Sequence, residues 1–430
     1  MSAFRKTEDV LVEKPAIELM AQLGWTTVDA MTEVHGPDGT LGRDNQGEVV
    51  LTRHLRVALR RLNPQLPDEA ISLAVTELSR DRSVMNEVVA NRELYQLMKD
   101  GVTVEVRNDK GDTVTERVRV INWADPSANE FLLVSQLWVT GPFHTRRADL
   151  IGFVNGLPLV FIELKASQKK IEDAYNNNLT DYRDTIPALF IPNAFIILSN
   201  GIESKVGSIT AGWEHFTEWK KIDEESEPGV ISLETMLRGT CDPARLLDLV
   251  ENFIAYQEKA GGVIKLMARN HQYLGVNNAI ERLRETRTAP EAERGRLGVF
   301  WHTQGSGKTL SMLFFSQKIL RKIAGNWTFV VVTDRTQLDD QAYREFTEAG
   351  VLTEGHVQAT SSENLRQLLG EDHRYVFTLI QKFQTGRFDE FPMLSDRSDI
   401  IVINDEAHRS QYDTLALNMR NALPNASFCA

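Results

Sequence analysis

The sequence predicts an α/β protein in two parts: a mixed strand-and-helix domain, then a lobe built on a parallel sheet. Two observations carry this. Beyond residue 262, apolar strand-like runs at Val299–His302, Phe329–Thr333, Tyr375–Ile380 and Ile400–Ile403 alternate with helical runs, the rhythm of a parallel sheet with crossover helices. Ahead of it, two apolar runs meet at Asn155-Gly156, a leading hairpin-turn signal.

The elements follow in order. Apolar residues at helical spacing predict helices over Val12–Leu23 and Asp68–Leu78. Alternation predicts strands over Val102–Arg107 and Thr113–Val120, joined by the turn-rich 108–112. Phe131–Val139 reads as a more buried strand. Residues 147–200 hold the hairpin, a helix near Ile171–Asp184 and an apolar strand at Ala194–Leu198. The polar run 220–229 is a surface loop. A helix predicted over Pro243–Ala260 ends at Gly261-Gly262, which suggests domains of 1–260 (core about 90–200) and 261–430.

At 430 residues, 42% of them hydrophobic, the chain can bury sizeable cores. Two cysteines, Cys241 and Cys429, make no disulfide framework, which fits a cytoplasmic setting. No apolar stretch is long enough to span a membrane; 188–198 is short and interrupted by Pro192. The net charge of −12 argues against autonomous, tight DNA binding, yet a local groove can still hold DNA.

The glycine-rich loop Trp301-His-Thr-Gln304-Gly305-Ser306-Gly307-Lys308-Thr309 lies between an apolar run and an amphipathic one. Gly305 and Gly307 allow backbone N–H groups to turn inward around phosphate oxygens. Lys308 can reach the β/γ-phosphates, Thr309 can hold Mg²⁺, and the helix beginning here points its positive end at the anion. Downstream, Ile400–Ile403 runs into Asp405-Glu406. Asp405 at a strand end can hold the same Mg²⁺, while Glu406 orients and deprotonates water. The pattern predicts an ATP site. Gln272, upstream in Arg269–Tyr273, is either a surface glutamine or an adenine reader.

The hairpin Arg146–Lys165 carries a second chemistry. A two-residue Asn155-Gly156 loop would pair Val154 with Leu157 and put Asp149 and Glu163 on opposite faces. A three-residue loop pairs Val154 with Pro158, and hence Asp149 with Glu163, with Lys165 on the same face. The two carboxylates can then hold Mg²⁺ and the lysine can position water or steady developing charge, the Asp…Glu-x-Lys arrangement of a metal-dependent phosphodiesterase. Arg146 and Arg147 suit a DNA backbone. The other reading is a hairpin with a Glu/Lys surface pair. Glu93 reads as a solvated helix residue sooner than a third acidic ligand.

With both sites in view, the chain resembles the restriction (motor) subunit of type I restriction–modification enzymes over nearly its whole length. Residues 301–309 are close to that family's phosphate loop; Thr333–Gln341 is similar to its next helicase motif, and Asp405–Gln411 to its Walker B continuation. Phe153–Val160 with Glu163-Leu164-Lys165 is similar to its nuclease core. The resemblance implies a PD-(D/E)xK-type nuclease domain followed by a RecA-like, superfamily-2 motor lobe that pumps double-stranded DNA and cuts it at remote positions. It further implies Gln272 as adenine reader and Asp149, Glu163 and Lys165 as nuclease residues. Methyltransferase (modification) and specificity subunits are the implied partners, and S-adenosylmethionine acts only through them. The family often carries Gln-x-x-x-Tyr after the core; here Asn178 and Tyr182 meet that spacing as DNA contacts. His302 departs from the general loop pattern. Expected after Ala430 are a coupling motif and a second RecA lobe with arginine fingers, so this chain reads as an N-terminal fragment with half an ATP cleft. A different superfamily-2 ATPase, or a non-catalytic remnant that docks onto methyltransferase partners, are the competing readings.

Overall fold

The computed structural model describes residues 12–108, 110–290, 294–299, 305–384, 391–405 and 413–430. The chain divides into two compact units. One runs to Tyr256 and includes Val263–Asn270; the other comprises Gln257–Gly262 and His271–Ala430.

The first unit opens with α1 (Lys14–Gln22), β1 (Thr26–Asp29), α2 (Thr52–Leu62), α3 (Asp68–Ser79) and α4 (Glu87–Asp100). Helix α4 shows how local sequence sets its limits. Asn86 caps it by accepting from the amides of Val88 and Val89, and Gly101 ends it at a φ of 90°. Ala90, Leu94 and Met98 recur at a four-residue spacing and face inward. Next come an antiparallel hairpin, β2 (Val102–Arg107) and β3 (Thr113–Val118), and then β4 (Phe131–Thr140), β5 (Thr145–Val154) and β6 (Leu157–Leu164). A π-helical stretch, Ala174–Leu179, leads into α5 (Thr180–Thr185). Then follow β7 (Phe195–Ser199), β8 (Ser204–Gly207), α6 (Leu233–Cys241) and α7 (Pro243–Asn252).

Six strands form one mixed sheet in the order β1-β4-β5-β6-β7-β8. β6 is buried along its whole length, which fits an apolar run that only Glu163 interrupts. Ile151, Phe153, Phe161, Ile196 and Leu198 anchor the core on one side with Phe190 and Tyr182.

The hairpin turn resolves the two register alternatives in an unexpected way. Asn155 (φ 50°) and Gly156 (φ 81°) form the two-residue turn, with Val154 opposite Leu157. A bulge then intervenes: Phe153 faces Pro158, but Gly152 faces Val160. Leu159 is the extra residue, and the register beyond it is the one that a three-residue loop would have given. Pro158 has no N–H for the ladder and so favours an irregularity here. Gly152 is the other half of the device, because a Cβ there would come within 3.1 Å of the Trp25 ring.

The helix expected over Pro243–Ala260 is corrected by the structure. It stops at Asn252, and Ile254–Lys259 (β9) pairs with Gly262–Met267 (β10) in a two-stranded sheet. Ala260-Gly261 therefore form the turn between the strands, and Gly262 opens β10. The run 254–257 is aromatic and β-branched enough to favour a strand once Phe253 has closed the helix.

In the second unit α8 (Asn270–Thr288) precedes β11 (Arg296–Gly298), α9 (Lys308–Lys322), β12 (Thr328–Thr333), α10 (Thr336–Glu348), α11 (Ser362–Gly370), β13 (Tyr375–Leu379), β14 (Ile400–Asn404), α12 (Asp413–Ala422) and β15 (Ser427–Cys429). Every pairing is parallel, in the order β11-β15-β14-β12-β13. The expected parallel α/β lobe is present. The strand expected over Val299–His302 is found instead at Arg296–Gly298, with Val299 exposed and 300–304 outside the described residues.

Asn155 holds the hairpin turn in place. Its side chain accepts from Glu130 N and donates to Val120 O and Asn129 Oδ1, all while fully buried. Asn155→Ala should cost about 2–4 kcal/mol by urea denaturation, because it strands buried partners and forces alanine to a positive φ. Asn155→Gly keeps the turn but loses the same bonds, and should be destabilised nearly as much; wild-type stability in the glycine variant would show that the bonds contribute little.

Candidate functional site

The bulged register brings the acidic pair together. Beyond Leu150↔Ile162 the next positions in register are Asp149 and Glu163. Asp149 Oδ2 accepts from the Leu164 amide at 2.9 Å. Glu163 is 1% exposed, and its Oε1 accepts from Lys165 Nζ at 2.7 Å and from Asn178 Nδ2 at 2.5 Å. Lys165 Nζ also donates to the Leu164 carbonyl at 3.2 Å. Asn178 arrives from the π-helical stretch, whose wider turn presents it to the sheet.

The electrostatics match an acid cluster with one dedicated cation. Burial raises the Asp149 carboxyl above its usual range; the Leu164 amide, Lys165, Arg147 and Glu163 pull the other way without cancelling it. Tyr182 is raised too, chiefly by burial and then by Glu163 and Asp149.

The basic and aromatic candidates are distributed differently from expectation. Arg146 makes a two-point ion pair with Asp181, at 2.5 and 2.9 Å. Arg147 lies over the Trp138 ring, 5.6 Å from its centroid, and lends its charge to Asp149. Tyr182 is turned inward: it is 7% exposed, its ring meets Phe161 edge-on and its hydroxyl donates to the Arg147 carbonyl. It holds β5 through that bond and leaves little of its ring exposed. Glu93 is engaged with Arg80 and Arg82 and is absent from the cluster, as a helix-surface role requires.

Among the described residues no group of three or more His, Cys, Asp or Glu side chains gathers as a metal cage. The Asp149–Glu163 pair nonetheless suits Mg²⁺, which takes oxygen donors, uses one or two carboxylates and keeps several waters.

In the second unit, Gly305 and Gly307 take φ of 79° and 84°, and Gly307 is the residue from which α9 springs. A Cβ at Gly307 would come within 2.8 Å of Gln272 Nε2. Gln272 is 1% exposed, and its amide donates to the Gly307 carbonyl at 2.9 Å. The surface reading of Gln272 is thereby excluded: it grips the loop. His271, which sequence reasoning passed over, does the same at Ser306 O (3.2 Å). Its only signal was adjacency to Gln272. Lys308 and Thr309 form the first turn of α9, and Asp405 leaves the end of β14 with its amide bonded to Val332 O. In a parallel sheet these features share the carboxyl edge, where ligands bind. Gln304 and Glu406 lie outside the described residues.

A parallel sheet whose glycine loop opens a long helix defines the second unit as a phosphate-loop lobe, and an acid–acid–lysine hairpin marks the first. Comparison with known proteins gives a family for each part. Residues 5–234 match the family described as type I restriction enzyme R protein N terminus, and residues 271–430 match the SWI2/SNF2 ATPase family. The chain is 37% identical, over 97% of its length, to the type I restriction enzyme HindI endonuclease subunit of Haemophilus influenzae, covering 41% of that protein. It is 32% identical over its full length to the putative type I restriction enzyme MjaIXP endonuclease subunit of Methanocaldococcus jannaschii, covering 42% of it. A Staphylococcus aureus type I restriction enzyme endonuclease subunit is 25% identical over 78% of the chain and is covered to 35%. The chain belongs to the family of type I restriction enzyme endonuclease (R) subunits. It spans well under half the length of these relatives, at 41%, 42% and 35%. No described helix is long and apolar enough to cross a membrane.

A raised carboxyl pKa has a definite sign for stability. The folded protein holds the Asp149 proton more tightly than the unfolded chain does. The associated stability is complete below the ordinary value of 3.8 and is lost as pH rises through the raised value. Asp149→Asn should therefore melt higher than wild type at pH 7.5, with the gap closing as pH falls towards 4. A lower melting temperature at pH 7.5 would contradict the burial argument.

Proposed function

We propose that the first unit is a PD-(D/E)xK-type, Mg²⁺-dependent DNA nuclease and the second a RecA-like motor lobe. Together they serve a type I restriction endonuclease subunit that translocates double-stranded DNA with ATP and cuts it away from the recognition sequence. The observation that supports this best is the bulge at Leu159, without which Asp149 and Glu163 would point to opposite faces. Modification and specificity subunits are the proposed partners, and S-adenosylmethionine acts through them alone.

In the nuclease, Asp149 and Glu163 are the Mg²⁺ ligands. The ion would supply Lewis-acid charge at the phosphodiester and a more acidic water. Lys165, fixed by Glu163 and the Leu164 carbonyl, holds a cation where charge grows on the phosphate. Asn178 fixes the Glu163 carboxylate, and Arg147 stands at the entry strand for the DNA backbone. Arg146, already paired with Asp181, offers less of its charge to phosphate.

In the motor lobe the loop amides at 305–307 and the N-terminus of α9 receive the phosphates of ATP, with Lys308 on the β/γ-phosphates. Thr309 and Asp405 are the residues that would hold the accompanying Mg²⁺, and Glu406 the one that orients water. Gln272 is proposed to exchange its bond to Gly307 for the adenine edge when nucleotide enters.

The two chemistries should separate by mutation in the complete subunit assembled with its partners. Glu163→Gln and Lys165→Ala should each reduce DNA cutting by at least about a hundredfold and leave ATP turnover intact. Lys308→Ala should abolish ATP turnover and, with it, cutting at remote positions. Undiminished cutting by both hairpin variants would refute the nuclease assignment, and undiminished turnover by Lys308→Ala would refute the motor assignment.

A further inference from the structure

Phe143 is 91% exposed and is the one aromatic residue among the large hydrophobics that the described residues leave in solvent. It sits in the tight connection Gly141-Pro142-Phe143-His144 between β4 and β5. That connection is bonded on both sides. The Gly141 amide donates to His144 O at 2.8 Å, and the hydroxyls of Thr140 and Thr145 meet across the last strand pair at 2.8 Å. The Thr140 amide is held by Gln46 O, and Gly141 lies so close to Thr185 that a Cβ would come within 1.9 Å of its carbonyl oxygen. Pro142 fixes the backbone dihedral just before Phe143. The phenyl ring is thus presented, not merely uncovered.

Its position supplies the occupant. Asp149 is four residues along β5 from Thr145, which at about 3.3 Å per residue places the stem roughly 13 Å from the carboxylate pair. Arg147 lies between them along β5, and His144 follows Phe143 directly. Of the acids near this end of β5, Asp181 is paired with Arg146. Roughly 13 Å is about four base-pair rises of ~3.4 Å, so one duplex is long enough to meet both the carboxylate pair and the tip.

We infer that Phe143 is a DNA wedge: it inserts between base steps a few pairs from the scissile phosphate and locks the duplex in register with the carboxylate pair. An apolar ring inserted into a step unstacks it and kinks the duplex, at a cost of a few kcal/mol that further contacts offset. The energetic return is stacking of bases on the ring, which tolerates any sequence because each base has a π-face. Such a contact suits a nuclease that reads no bases itself. The inference rests on the nuclease reading of the hairpin, but its test does not.

The test uses the 430-residue chain at low salt in EDTA, so that DNA is bound and not cut. Short duplexes carrying 2-aminopurine at successive positions report unstacking, and anisotropy reports binding. Wild type should raise 2-aminopurine fluorescence at whichever interior step carries the probe, because the contact is sequence-tolerant. Phe143→Ala should bind about five- to a hundredfold more weakly without that rise, and should melt at the wild-type temperature because the ring packs on nothing. Phe143→Trp should restore both binding and the fluorescence rise. Equal binding by Phe143→Ala, or no duplex binding by wild type, would overturn the wedge. Cutting that survives Glu163→Gln and Lys165→Ala would remove the nuclease assignment while leaving the binding result intact.

Discussion

One residue of register governs this protein. Strand side chains alternate with a period of two, so a hairpin with a two-residue turn and no bulge would send Asp149 and Glu163 to opposite faces of the sheet. The turn is in fact of that short kind, with Asn155 and Gly156 both at positive φ. Leu159 is inserted opposite the Gly152–Phe153 step and restores the shared face. The turn is fastened by buried bonds from Asn155 to three residues of two neighbouring segments (Val120, and Asn129 with Glu130), and the bulge by Trp25 packing over Gly152. The acidic pair, the lysine and the proposed chemistry all inherit their geometry from these contacts.

The cluster built on that register is costly to hold. Two carboxyl groups share a largely buried corner with one ammonium group, and Asp149 remains raised even though an amide and two cations favour its charged form. A divalent cation of hard character would relieve this imbalance, since it compensates both charges at once. Without it, neighbours share the load. Asn178 and Lys165 both bond one oxygen of Glu163, and the Tyr182 hydroxyl holds the Arg147 carbonyl nearby. This is the usual division in functional sites, where packing elsewhere supports groups that would not assemble on their own account.

Much of the fold could be read in the sequence because its signals were local. Strand alternation at 102–107 and 113–118, the apolar run of β6 and the glycine loop before α9 each depend on neighbours a few residues away. The errors came where a partner outside the segment decides. Residues 254–259 have a composition that either helix or strand can use, and pairing with 262–267 makes them a strand. The register alternatives at Asn155 could not be separated because the bulge depends on Trp25, far away in sequence. Pro158 was the local clue. The inward turn of Tyr182 and the pairing of Arg146 with Asp181 were likewise invisible, because spacing does not say which face of α5 meets the sheet.

The phosphate loop shows the same dependence on a remote grip. Gly307 must lack a side chain for two reasons: its φ is positive, and the Gln272 amide occupies the space that a Cβ would need. His271 and Gln272 each bond a loop carbonyl, at Ser306 and Gly307. Those bonds turn the carbonyls towards α8, and a peptide plane that points its carbonyl to one side points its N–H to the other. The amides that α9 and the loop offer to an anion are therefore set from behind by α8, not by the loop sequence alone. A nucleotide that drew Gln272 away would loosen one of these holds and leave His271 with the other. The residue beside the expected adenine reader thus becomes the one that keeps the loop formed while that reader is engaged.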